Sequence, residues 1–146
     1  MEKIEHIGIA VKDLEASNTV YKKLLGVAPY KREEVHSEKV ITSFFNVEDS
    51  KIELLEATDA DSAIAKFIDK RGEGIHHIAF AVADIRAEME RLQKEGFTLL
   101  NTIPVKGADN KWVAFVHPKS AHGVLIEICQ EIEVPKEEYP EGNIPI

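Results

Sequence analysis

Residues 6–17, HIGIAVKDLEAS, return as residues 77–88, HIAFAVADIRAE, without a gap. The two histidines stand 71 residues apart, about half of the 146-residue chain, and His, Ile, Ala, Val, Asp and Ala coincide. A fixed internal period is the mark of a duplicated structural unit. A second echo pairs KIELLE (51–56) with LIEICQ (125–130), and sets Glu53 against Glu127 at an offset of 74. Loop variation accounts for the small difference.

Each half parses alike. The stretch IEHIGIAV alternates and is rich in β-formers, so it predicts a strand. Asp13 caps a helix whose Leu14, Val20, Tyr21, Leu24 and Leu25 are expected near one face, and Gly26 closes it. Strands are expected near 28–36, 38–47 and 50–57. The second half repeats the order. A strand at 75–83 precedes a helix from Asp84 to Gly96 with Ile85, Met89 and Leu92 on one face, then strands near 97–103, 111–117 and 123–130.

The reading is a single α+β domain spanning 1–146. Two tandem βαβββ modules, about 3–57 and 75–130, are expected to form a curved mixed β-sheet. The segment DADSAIAKFIDKRGEG between them predicts a linking helix, about 60–71. Residues 131–146, with three prolines and many charges, are expected to run irregularly over the surface.

Composition narrows the function. With 44% hydrophobic and 30% charged residues and no apolar run near the roughly 20 residues of a membrane span, the chain reads as an ordinary globular protein. The N-terminus MEKIEHIGIAV lacks a cleavage site and reads as a first strand, so the expected compartment is the cytoplasm. A net charge of −8 argues against nucleic acid as a partner. The single cysteine, Cys129 in GVLIEICQ, reads as a buried structural thiol.

A lone histidine at a strand start is ordinarily structural, and a glutamate in an alternating strand ordinarily faces solvent. His6, Glu53, His77 and Glu127 are singled out because they recur at equivalent places. An approximate twofold would gather them around one axis. Two imidazoles and two carboxylates suit Zn, Co, Ni, Mn or Fe rather than Ca. In the doublet GIHHIAF, strand parity directs His77 to the site and His76 to the opposite face, unless the register slips by one. His36 reads as exposed, and His117 and His122 flank a turn.

The tandem plan, with a histidine opening each module and a glutamate in its last strand, resembles the vicinal oxygen chelate superfamily of glyoxalases, extradiol dioxygenases and epimerases. Within it, GEGIHHIAFAV, FVHPKSAHGVLIEICQ and KIELLEATDADSAIAKFI resemble the methylmalonyl-CoA epimerase family over residues 3–130. The resemblance implies a divalent metal on His6, Glu53, His77 and Glu127, with Co2+ favoured and Ni2+, Mn2+ or Zn2+ as alternatives. Some members have Gln where this chain has Glu53. The implied reaction interconverts (R)- and (S)-methylmalonyl-CoA by α-proton abstraction through a metal-stabilised enolate, in a homodimer.

Glu127 is then the first acid/base. Some relatives carry a further glutamate on the third strand of the first module, where Thr42 of KVITSFF stands here. That leaves Glu53 as the simplest second base, with Glu33, Glu34, Glu38 or water as alternatives. Lys106, Lys111 and Lys119 are candidates for the coenzyme phosphates. The rival readings are a lactoylglutathione lyase with the same ligand types and, further behind, a metal-free ligand-sequestering resistance protein. An extradiol dioxygenase, with its two-His, one-carboxylate iron, is the least favoured.

Overall fold

The computed structural model describes residues 1–133; residues 134–146, which hold most of the expected surface tail, lie outside the described residues. The first module runs β1 (Lys3–Ala10), α1 (Leu14–Leu25), β2 (Lys31–Val35), β3 (Val40–Val47) and β4 (Ser50–Ala57). A linking helix, α2 (Ala63–Arg71), leads to β5 (Gly74–Ala81), α3 (Ile85–Lys94), β6 (Val105–Gly107), β7 (Lys111–Val116) and β8 (Ile126–Glu131). Among the described residues no helix is long and apolar enough to cross a membrane.

The helix starts follow local chemistry. Asp13 accepts from the Ala16 amide and Asp84 from the Ala87 amide, equivalent caps in the two modules, while Ser62 caps α2. Gly26 ends α1 in the left-handed conformation. Of the apolar residues expected on one face of α1, Leu14, Tyr21 and Leu25 pack against Phe45 and Leu54, but Val20 and Leu24 point to solvent. They lie on the flank turned away from the sheet, so the inward stripe is narrower than expected.

All eight strands form one sheet in the order β2-β3-β4-β1-β5-β8-β7-β6. That order reads the same from either end once the modules are exchanged. β1 pairs parallel with β4 and β5 parallel with β8, while β1 and β5 meet antiparallel at the centre. Helices α1 and α3 cover the outer face: Leu54 and Phe45 face α1, and Ile128, Ala114 and Val116 face α3. Alternation then turns the strand residues next to them, Glu53 and Glu127, to the concave side.

The expected edge strand at 97–103 is broken. Leu99 makes an isolated bridge to Val116, and regular pairing resumes only in β6. Between them Asn101 replaces backbone partners with its side chain. Its Oδ1 accepts from the Phe115 amide and its Nδ2 donates to the Ile103 carbonyl. Pro104, with no amide hydrogen, cannot continue a ladder there.

The central β1/β5 ladder carries two irregularities. Pairing runs Ile4 with Phe80, then His6 with Ala79, leaving Glu5 over. It runs Gly8 with His77, then Ile9 with Ile75, leaving His76 over. Each is a β-bulge, and residues 5 and 76 are equivalent under the repeat, so the two bulges are symmetry mates.

Candidate active site

Gly8 pairs with Glu53 on β4, and its repeat-equivalent Ala79 pairs with Glu127 on β8. Across β1/β5, Gly8 faces His77 and Ala79 faces His6. A small residue therefore lies beside each imidazole. At Gly8 the clearance is absolute, since an added Cβ would stand 2.6 Å from both ring nitrogens of His77. The twofold brings His6, Glu53, His77 and Glu127 to the centre of the concave face, all four buried.

Three of the four converge on one point. The Nε2 atoms of His6 and His77 lie 3.0 Å apart, and Glu127 Oε1 is 3.4 Å from His77 Nε2 and 3.7 Å from His6 Nε2. Glu53 approaches His6 from its other side, 3.2 Å from Nδ1.

The bulges overturn the parity expected of the doublet. His76 does not face away: its Nδ1 is 2.9 Å from His77 Nδ1, and both rings line the same cavity. The extra residue in the strand puts two consecutive side chains on one side. Glu5 does the same in module one, with Oε1 2.7 Å from His6 Nδ1. The result is a continuous hydrogen-bonded row, Glu5, His6, His77, His76, crossing the pseudo-twofold.

The row's chemistry is directional. Burial disfavours charge on His6, but Glu127, Glu5 and Glu53 override it and raise its pKa to about 10. His77 goes the other way, held well below the usual range by burial and by the neighbouring charge of His6. The network thereby assigns His6 as a donor at both nitrogens, to Glu5 and to His77, and His77 as the donor to His76. Burial raises Glu53 to about 7, and the charges of Glu127 and Glu5 reinforce the rise. Glu5 resists burial: hydrogen bonds from His6 and Lys51 bring it to about 2.

A cavity of about 120 Å³ opens over this floor. Its walls are largely apolar, with Val40, Leu55, Ile64, Val113 and Phe115, and α2 supplies part of one side. Thr42 also lines it. Its hydroxyl is buried and has no hydrogen-bond partner among the described residues.

Of the lysines expected to meet phosphates, Lys106 and Lys111 line the cavity, and Lys119 is exposed on the 3-10 turn Pro118–Ala121. Lys111 is buried, its ammonium 3.7 Å from Asp109, 3.7 Å from Glu131 and 3.9 Å from Glu5. Carboxylates from three directions already occupy it, so it does not present a free cation. Glu38 lines the cavity, Glu33 accepts from the Asp109 amide, and Glu34 sits beside His36 on the surface. His117 and His122 begin and end the 3-10 turn outside the cavity. Cys129 is buried as expected, and burial pushes its thiol pKa up.

Sequence reasoning missed Glu5, Lys51 and Asp109. Lys51 Nζ lies 2.8 Å from Glu5 Oε2 and 2.8 Å from Asp109 Oδ2. These contacts join a bulge, a neighbouring strand and a turn of the other module, a juxtaposition that no local pattern announces.

Residues 5–115 match the family model of the glyoxalase/bleomycin resistance protein/dioxygenase superfamily. The ethylmalonyl-CoA/methylmalonyl-CoA epimerase of Cereibacter sphaeroides is 38% identical over 130 residues, covering 88% of this chain and 97% of that protein. The crystal structure of a hypothetical protein from Bacillus halodurans superposes with a TM-score of 0.87 at 42% identity, over 92% of this chain and 97% of that one. A variant of the Streptomyces coelicolor methylmalonyl-CoA epimerase, in complex with 2-nitronate-propionyl-CoA, superposes at 0.85 with 34% identity, over 91% and 99%.

Proposed function

The chain belongs to the glyoxalase/bleomycin resistance protein/dioxygenase superfamily, and from that premise we propose that it is a methylmalonyl-CoA epimerase using a divalent metal. The observation that carries the reading is the buried convergence of His6 Nε2, His77 Nε2 and the Glu127 carboxylate beneath an acyl-sized cavity, in a chain whose relatives include epimerases. The donor set fits such an ion. Two imidazole nitrogens 3.0 Å apart face a carboxylate oxygen, and such buried donors would hold a divalent cation once the imidazoles are deprotonated. His6, His77, Glu127 and its symmetry mate Glu53 are the proposed ligands, with Co2+ favoured and Ni2+, Mn2+ or Zn2+ as alternatives.

When bound, the metal supplies Lewis acidity that stabilises the negative charge developing on the substrate's oxygens. The residues supply the proton traffic. Epimerisation removes the α-proton from one face of the acyl group and returns one to the other, so it needs two acid/base groups on opposite sides. Glu53 and Glu127 come from symmetry-related strands on either side of the pseudo-twofold. Glu53 and Glu127 are the proposed pair, one accepting the α-proton while the other delivers a proton to the opposite face. The reverse reaction exchanges the roles. Val40, Leu55 and Phe115 exclude water from the acyl group, and Lys106 and Lys119 are the proposed partners of the coenzyme phosphates. A homodimer is the proposed assembly.

The test is α-proton exchange. Metal-loaded protein given (R)-methylmalonyl-CoA in deuterated water is expected to incorporate deuterium at the α-carbon and to scramble its configuration, both visible by NMR and mass spectrometry. Absence of exchange, together with turnover of a glutathione hemithioacetal, would establish a lyase instead.

A further inference from the structure

We propose that Glu5 is a positioning residue of the metal centre: it holds the His6 ring so that Nε2 faces the ion, and Lys51 and Asp109 hold Glu5 in turn. The inference rests on the metal-site reading given above.

The bulge is what makes the role available. In a regular strand Glu5 would lie on the face opposite His6. The extra residue instead turns it inward, 5% exposed, with Oε1 2.7 Å from His6 Nδ1. A hydrogen bond at Nδ1 leaves Nε2 as the free donor atom, and Nε2 is the nitrogen that meets His77 and Glu127. An ionised carboxylate in this place fixes both ring orientation and tautomer, and makes the imidazole a stronger ligand.

Glu5 is itself unavailable as a ligand. Its second oxygen is engaged by Lys51, which lies opposite His6 in the β1/β4 ladder, and Lys111 adds a second ammonium at 3.9 Å. Lys51 bridges on to Asp109, at the tip of the β6–β7 hairpin from the other module. Asp109 also lines the cavity, so the support of one ligand is tied to a wall of the substrate site.

The symmetry mate makes the point by contrast. His76 meets His77 Nδ1 at 2.9 Å from the equivalent bulge, but offers a nitrogen lone pair instead of a carboxylate. The backbone geometry repeats; the charge does not. Glu5 therefore sets His6 apart as the more strongly held ligand of the pair.

The experiment measures metal affinity directly, by chelator competition with zinc and cobalt, for wild type and Glu5→Gln. The variant keeps the size and a hydrogen-bond acceptor but loses the charge, and thermal melting checks that it folds. Affinity is expected to fall about 10–100-fold; unchanged affinity in a folded variant overturns the inference. If wild type binds neither ion, the metal-site reading itself fails, which is a separate result. Should Glu5→Gln not fold, zinc-loaded wild type decides the matter by imidazole 15N shifts. These are expected to show His6 protonated at Nδ1 and zinc-bound through Nε2, and the opposite tautomer overturns the inference.

Discussion

Lys31 and Asp109, 78 residues apart, join the two ends of the sheet through a 2.6 Å ion pair. Lys31 begins the edge strand β2, and Asp109 sits in the hairpin turn between β6 and β7; the Asp109 amide also donates to Glu33. An open eight-stranded sheet is thereby clasped into a cup whose mouth is the cavity.

The clasp has a pH signature. Despite partial burial, Lys31 and Lys51 bring Asp109 down to about 2, from an ordinary 3.8. A depressed carboxylate stabilises the fold above its unfolded pKa, and that contribution fades as pH falls from about 4 toward 2. It is worth on the order of 1–2 kcal/mol after allowing for solvent screening. Urea unfolding of wild type and Asp109→Asn should differ by that amount at pH 7, and the gap should shrink steadily below pH 4, to about a third near pH 2.5. A gap unchanged with pH would contradict the assignment.

Gly8→Ala should be costly although the residue is not in a left-handed conformation. The new methyl enters the space of the His77 ring, which is already fixed by His6 and His76. Overpacking of this kind costs about 1–3 kcal/mol. Thermal melting should show the loss, and chelator competition should show weaker metal binding in the same variant. Wild-type stability would mean that the ring has room to move.

Glu53 works against stability in the metal-free protein. Its raised pKa means that folding is progressively penalised as pH climbs from about 4.5 to about 7. Glu53→Gln lacks that penalty, so relative to wild type the metal-free variant should gain on the order of 2–3 kcal/mol between pH 4 and pH 8. Denaturant titrations at the two pH values test this. Loss of epimerisation in the same variant would report its second duty.

Glu127→Gln should separate chemistry from assembly. Proton transfer by a placed carboxylate contributes about 10²–10⁴-fold, and activity should fall by that order. The amide keeps one oxygen donor, so metal content by elemental analysis should fall less. Full activity with metal bound would remove Glu127 from the proton path.

Thr42→Val should move stability and activity in opposite directions. The Thr42 hydroxyl is buried without a partner, so valine should leave the free protein as stable or slightly more so. If the hydroxyl meets a substrate oxygen in the cavity, kcat/KM should drop about tenfold, mostly through KM. Unchanged kinetics would make Thr42 a wall residue only.

The duplication was legible, and with it the α+β modules and the inward placement of Glu53, Glu127, His6 and His77, because a repeat supplies its own alignment. Side chains set by one strand's partner were not legible. Whether His76 follows parity depends on the pairing with β1, where the skipped residues Glu5 and His76 become visible only once both strands are in place. The broken edge strand was hidden for a similar reason: Asn101 reads as an ordinary polar residue until its side chain is seen standing in for backbone on β7. Lys111 reads as a surface cation from composition, but Glu5, Asp109 and Glu131 surround it from three separate elements.

The matched bulges also bear on descent. They fall at residues 5 and 76, in step with the offset of 71 that relates the two histidines. The simplest history is that a single ancestral half already carried the extra residue before it was copied, and that two such halves could pair around the same axis. Two copies in one chain are free to differ. One kept or gained a carboxylate behind its histidine and the other an imidazole, a divergence that a pair of identical halves could not have made.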